Sequence, residues 1–182
     1  MKSLVVYYSR TGYTRRVAES LARRLNADLE PIDAAPRPGV LGYLRCSLES
    51  LLKLQTAIRA PRHDPAAYGL VLVGGPVWFW GLSSPVRTWL QMRRRRLPQV
   101  AFFCTMGGSG AQHVFDTMAA VAGKRPLATL ALTDRDIDEH GQRWLEAFVQ
   151  ALHLPHAPAA RTAKRIVHRR RAGAGRTATA AG

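Results

Sequence analysis

Five short apolar runs, each followed by residues at helical spacing, recur along the chain, and few folds accept that order. Leu4 to Tyr8 is a β-branched and aromatic run bounded by Ser9, and Val17, Leu21, Ala22 and Leu25 then repeat at helical spacing. Leu29 to Ile32 reads as a second strand, closed by Asp33 and the prolines 36 and 38. A leucine-rich helical pattern runs from Gly39 to Arg59. Leu70 to Gly74 is a third strand, and Ser84-Pro85 opens a helix, with serine as the cap and proline in the first turn. Val100 to Cys104 and Pro126 to Leu132 are the fourth and fifth strands. Helices over about Ala111–Ala122 and Asp138–Leu152 follow them. Strands without polar alternation, separated by helices, call for a parallel sheet covered on both faces. The chain is therefore read as a doubly wound α/β sandwich of five parallel strands, for which the order 2-1-3-4-5 is adopted.

That order restricts where a ligand can bind. In an open parallel sheet the binding crevice lies beyond the carboxyl ends of the strands, where strand order reverses. Three loops of unusual composition leave the first, third and fourth strands: Ser9–Thr14, Gly75–Gly81 and Thr105–Gly110. In the order 2-1-3-4-5 these strands are neighbours, so the three loops converge.

Each loop has its own chemistry. Ser9-Arg-Thr-Gly-Tyr-Thr14 sits between a strand and a helix, where backbone N–H groups and the helix dipole favour an anion. It has no lysine before a Ser/Thr pair, so it is not a magnesium nucleotide loop, and it lacks the GxGxxG spacing for a pyrophosphate. Two readings stay open for it: a cradle for a terminal phosphate monoester, or a plain helix cap at Thr11 or Thr14. Gly75-Pro-Val-Trp-Phe-Trp-Gly81 places three large rings at a strand end, where they pack in a core or on a flat ligand, with Trp78 or Trp80 able to stack on it. Thr105-Met-Gly-Gly-Ser-Gly110 exposes backbone groups that can bond ring nitrogens and carbonyls.

Charge and length set further bounds. The 182 residues carry a net charge of +15. Seven basic residues and no acid fall between Ala159 and the end, among Ala, Gly and Thr. Residues 1–155 are read as one domain and 156–182 as a basic, disordered tail that suits an anionic partner. Arg93 to Arg96 forms a second basic block. Cys46 and Cys104 have no metal or CxxC spacing and read as small buried hydrophobes. Asp134 and Asp136 read as turn and cap residues of the last helix, so no metal site is expected. Neither a signal peptide nor a membrane span is visible, and the cytoplasm is the expected location.

Taken in order, the three loops resemble the flavodoxin arrangement over residues 2 to 153. Ser9-Arg-Thr-Gly-Tyr-Thr14 is similar to that family's phosphate motif S/T-x-T-G-x-T, with Tyr13 where the family often has asparagine. Gly74–Leu90 and Phe102–Ala111 look like the matching segments of short flavodoxins and FMN-dependent quinone or flavin reductases. The resemblance implies a flavodoxin-like fold holding FMN without a metal. Ser9, Arg10, Thr11, Gly12, Tyr13 and Thr14 would take the phosphate. Pro76, Val77, Trp78, Phe79 and Trp80, with Thr105, Met106, Gly107 and Gly108, would enclose the ring.

The function implied is an FMN oxidoreductase that passes electrons from NAD(P)H to a quinone-like acceptor, with no protein side chain as nucleophile or base. The alternatives are a single-electron carrier serving a redox protein, and a partner-binding module that uses FMN weakly or not at all. Carrier flavodoxins are typically acidic, and this chain is basic. His113, beside the third loop, is either a proton donor to substrate or a solvated helix residue. The pattern from Gly39 to Arg59 suits a substrate entrance or a homodimer surface.

Overall fold

The computed structural model describes residues 1–34 and 56–153. Its elements, in chain order, are β1 (Ser3–Tyr7), α1 (Tyr13–Leu25), β2 (Asp28–Pro31), β3 (Leu70–Trp78), β4 (Gly81–Leu82), α2 (Ser84–Arg93), β5 (Gln99–Met106), α3 (Ala111–Ala122), β6 (Thr129–Thr133) and α4 (Asp134–His153). Short 3₁₀ turns at Pro65–Ala67 and Arg94–Arg96 precede β3 and β5. The sheet order is β2-β1-β3-β5-β6, all parallel, with β4 folded back antiparallel on the end of β3. This is the expected 2-1-3-4-5 sandwich.

Continuous apolar strands are required here because both sheet faces are covered. Leu4, Val6, Val71, Val73, Val100 and Phe102 face α2 and α3, where Val86, Trp89, Leu90, Val114 and Met118 meet them. Their strand neighbours Val5, Leu72, Ala101, Phe103, Leu130 and Leu132 face Val17, Leu21, Leu145 and Phe148 of α1 and α4. Each fully buried side chain of this size contributes about 1.5–3 kcal/mol, so the two layers dominate stability. At Gly74 the packing tolerates no side chain, since a Cβ there would lie 2.2 Å from the Phe103 ring.

Several boundaries differ from the sequence reading. β3 runs four residues past Gly74 and carries half of the tryptophan loop as strand. Its burial on both faces is continuous through Gly75, so nothing in its hydrophobic pattern marks an end there. Four residues also separate the expected start of the last helix from the real one at Asp134. Thr133 and Asp136 cap it reciprocally: the Asp136 N–H donates to Thr133 Oγ1 (3.1 Å), and the Asp136 carboxylate accepts from Thr133 N–H (2.9 Å). Most of the helical pattern over residues 39–59 lies outside the described residues. The described part is not helical: Ile58 bridges to Ala34, and the buried Thr56 bonds Thr88 and Ser84 of α2.

Cys104 is buried in β5, and burial pushes its thiol up to about 12, which leaves it an inert core residue. Cys46 lies outside the described residues, as does the tail. No helix among the described residues is long and apolar enough to cross a membrane.

Candidate functional site

The first loop is not a side-chain-capped helix start. Gly12 occupies the cap position of α1 at φ 98°, a left-handed conformation that favours glycine, and no side chain caps the helix. No acidic residue stands in the first turn either. The amides of Tyr13 and Thr14 have no acceptor one turn back, because a helix cannot supply one. Helix dipole and amides together leave a positive, anion-seeking end. Thr11 is exposed at its rim, and a Cβ on Gly12 would meet only open space. The Ser9 hydroxyl accepts the Gly12 N–H at 3.1 Å and holds the loop in shape.

Thr14 plays a second part. Its hydroxyl is buried and bonds the Thr105 hydroxyl of β5 at 2.7 Å, joining α1 to the root of the third loop. Beside it, Tyr8 stands edge-on to Trp78, with ring centroids 5.5 Å apart. These two contacts bring the three loops together at the carboxyl edge of adjacent strands.

The tryptophan loop is a two-residue hairpin between β3 and β4, with Trp78 paired to Gly81. Its tip residues, Phe79 and Trp80, have φ of 45° and 58°. Such hairpins favour Asn-Gly at these positions, so two aromatic residues there cost conformational energy. They are also exposed, at 50% and 64%, whereas Trp78 is only 5% exposed. Strain and exposed aromatic area coincide at the tip, which is the pattern of a binding surface rather than a core.

The tip is pinned from the other side. The Trp80 indole N–H donates to Ser109 Oγ at 3.0 Å. Gly110 sits at φ 103°, and a Cβ on it would come within 2.9 Å of the Trp80 Cα. Between the hairpin and the glycine loop lies an open cleft of about 330 Å³, lined by Val77, Phe79, Trp80, Met106, Gly107, Gly108 and Ser109. That is the lower end of the usual range for small-molecule sites.

Of the ring-enclosing residues expected from sequence, Val77, Phe79, Trp80, Met106, Gly107 and Gly108 line the cleft. Trp78 is turned into the packing against Tyr8, and Thr105 is buried with Thr14. Pro76 pairs with Thr105 inside the sheet. His113 is exposed on the first turn of α3 and does not line the cleft. Ser109 was not foreseen, although a hydroxyl flanked by glycines opposite an exposed indole was a readable hint. Among the described residues no group of three or more His, Cys, Asp or Glu side chains is placed to hold a metal.

The arrangement fits a ligand with a phosphate at one end and a flat ring at the other. Uncapped amides and hydroxyls suit the phosphate; glycine backbone and exposed indole suit the ring. Several solved structures share this fold. A flavoprotein from Lactobacillus acidophilus NCFM, in complex with FMN, superposes with a TM-score of 0.64 at 22% identity, over 79% of this chain and 97% of its own. An inferred flavoprotein of Bacteroides eggerthii DSM 20697 gives 0.65 at 27% identity, over 81% and 98%. Oxidised flavodoxin 2 from Bacillus cereus gives 0.54 at 17% identity, over 84% and 97%. No curated protein matches the sequence. Residues 2–147 match the flavodoxin family model. The chain belongs to the flavodoxin family, whose cofactor is FMN.

Proposed function

We propose that this chain is an FMN-dependent oxidoreductase that takes electrons from NAD(P)H and delivers them to a quinone-like acceptor. The observation that carries the reading is the pairing of an uncapped α1 N-terminus with an open aromatic cleft on neighbouring strands. Ser9 and Thr11, with the amides of Arg10, Tyr13 and Thr14, form the phosphate cradle, while the Gly12 N–H and the Thr14 hydroxyl hold its shape through Ser9 and Thr105. Val77, Phe79 and Trp80 would hold the ring from one wall of the cleft and Met106, Gly107, Gly108 and Ser109 from the other, with Pro76, Trp78 and Thr105 supporting them.

Bound FMN would supply the redox chemistry, relaying the two electrons and one proton of a hydride from NAD(P)H to the quinone, with the second proton of the hydroquinone drawn from water. The protein positions, shields and binds. Thr14 and Thr105 fix the cradle against β5. Trp80, held by Ser109, keeps an aromatic wall over the ring while leaving the cleft open to solvent. Arg15 lies 3.8 Å from Glu19 and Arg16 2.8 Å from Asp138, so the attraction for a polyanionic dinucleotide comes from the chain's net charge of +15. An acidic carrier docking basic proteins would show the opposite field.

The test is steady-state NAD(P)H oxidation by the FMN-loaded protein with a soluble quinone. Prompt turnover is expected. A protein that turns over no quinone and accepts electrons only in two separate one-electron stages is a carrier instead. Failure to bind FMN at all points to a partner-binding module. Thr11→Glu, at an exposed position, should weaken FMN binding at least about tenfold through like-charge repulsion while leaving the melting temperature unchanged.

A further inference from the structure

The end of the molecule opposite the cleft has its own chemistry. Parallel strands with returning helices place the starts of the five parallel strands and the helix ends at one pole. Lys2 precedes β1, Arg23 and Arg24 close α1, Arg94, Arg95 and Arg96 follow α2, and Lys124 and Arg125 follow α3. Among the described residues, the carboxylates Asp28 and Asp64 of that pole are already paired, with Lys2 at 3.1 Å and with Arg96 at 2.5 Å. Arg94, Arg95, Lys124 and Arg125 are exposed and form no ion pair among the described residues. A basic side chain at a helix end serves the helix dipole. Four unpaired ones on adjoining helices exceed that need. They form one patch, because Arg94 Nε lies 2.8 Å from where a Cβ on Gly123 would stand, just before Lys124 and Arg125.

Two further observations define the partner. Met92, in the last turn of α2, is 56% exposed beside the arginines, and Met1 is exposed at the same pole. Exposed apolar side chains next to a basic cluster gain from a lipid interface, which offers both anionic headgroups and a hydrocarbon boundary. Single-stranded nucleic acid rewards aromatic platforms, and the exposed aromatics Phe79 and Trp80 sit at the other pole. α4 also ends at this pole, and the sequence beyond it adds seven basic residues and no acid from Ala159 onward.

We propose that this pole docks on an anionic lipid bilayer surface, leaving the cleft directed away from it. The site is the patch of Arg94, Arg95, Lys124 and Arg125 with Met92. Attraction of this kind falls off within about 10 Å at 0.1 M salt, so it acts only at close approach.

Cosedimentation of the full-length protein with vesicles tests this, comparing phosphatidylcholine containing phosphatidylserine with phosphatidylcholine alone. Binding is expected only with phosphatidylserine, and it should weaken as salt rises. The combined Arg94→Gln, Arg95→Gln, Lys124→Gln and Arg125→Gln variant should lose roughly fivefold in affinity per charge removed. A matched variant, Arg15→Gln, Arg59→Gln, Arg135→Gln and Arg143→Gln, should bind nearly as wild type does. The contrast should persist when the seven tail charges are neutralised in the full-length chain. Equal losses in the two variants would reduce the effect to net charge and overturn the proposal. So would vesicle binding that depends on the tail charges alone. Patch-dependent binding to polyuridylate without binding to the anionic vesicles would assign the pole to nucleic acid instead.

Discussion

Thr14 and Thr105, ninety-one positions apart, share a buried hydroxyl–hydroxyl bond of 2.7 Å that fastens the start of α1 to the end of β5. Neither group reaches solvent, so each depends on the other. Thr14→Val or Thr105→Val alone should destabilise by about 1–3 kcal/mol, because a buried hydroxyl is left unpaired. The double Val variant should cost less than the two singles combined. Urea unfolding across the double-mutant cycle gives the coupling directly; additive losses would contradict the contact.

The Phe79–Trp80 tip carries a trade between stability and binding. Replacing it with Phe79→Asn and Trp80→Gly places residues suited to positive φ in a two-residue hairpin. The melting temperature should rise, by an amount equivalent to about 1–2 kcal/mol. FMN affinity, followed by flavin fluorescence quenching, should fall because the exposed ring wall is gone.

Two left-handed glycines separate strain from collision. Gly12→Ala meets open space, so its cost is the backbone alone, about 1–2 kcal/mol. Gly110→Ala adds a 2.9 Å approach to the Trp80 backbone and should cost more, disturbing the cleft as well. Thermal melts of the two variants rank them.

Tyr68 and Asp28 predict a pH dependence at both ends of the scale. The Tyr68 hydroxyl donates to Asp28 at 2.6 Å. That bond, with Lys2, holds the Asp28 carboxyl below its ordinary value, and burial followed by the Asp28 partner pushes the Tyr68 phenol up to about 12. The Asp28 contribution is present above the unfolded carboxyl value near 3.9 and is lost as pH falls through the lower folded value. The Tyr68 contribution is present below about 10 and is lost as pH rises toward 12. Tyr68→Phe should flatten both limbs of a plot of stability against pH. Unchanged limbs would place their origin elsewhere.

The layered architecture was legible because the strand runs are apolar without alternation and had to be buried on both faces. The meeting of the three loops followed only once the order 2-1-3-4-5 was adopted, which apolar runs alone do not dictate. Individual roles within the loops were not. Trp78 and Trp80 are two residues apart in sequence and equally suited to stacking, yet the first packs on Tyr8 and the second faces the cleft. Only the hairpin decides between them, and no Asn-Gly or similar signal announces a turn at Phe79–Trp80. The Thr14–Thr105 bond was hidden by its separation, and the glycine cap at Gly12 by the hydroxyls on either side of it.

The cleft has one stiff wall and one soft one. The hairpin wall is the extension of β3, whose lower half is wedged between β1 and β5 at the centre of the sheet. Moving it as a body would break the ladder that supports the whole molecule. The opposite wall at Gly107 and Gly108 lies past the end of β5 and has no atoms within 4 Å of either Cβ position. Adjustment to ligands of different thickness therefore falls to Gly107 and Gly108, between the strand end at Met106 and the Ser109 hydroxyl that ties the loop to Trp80.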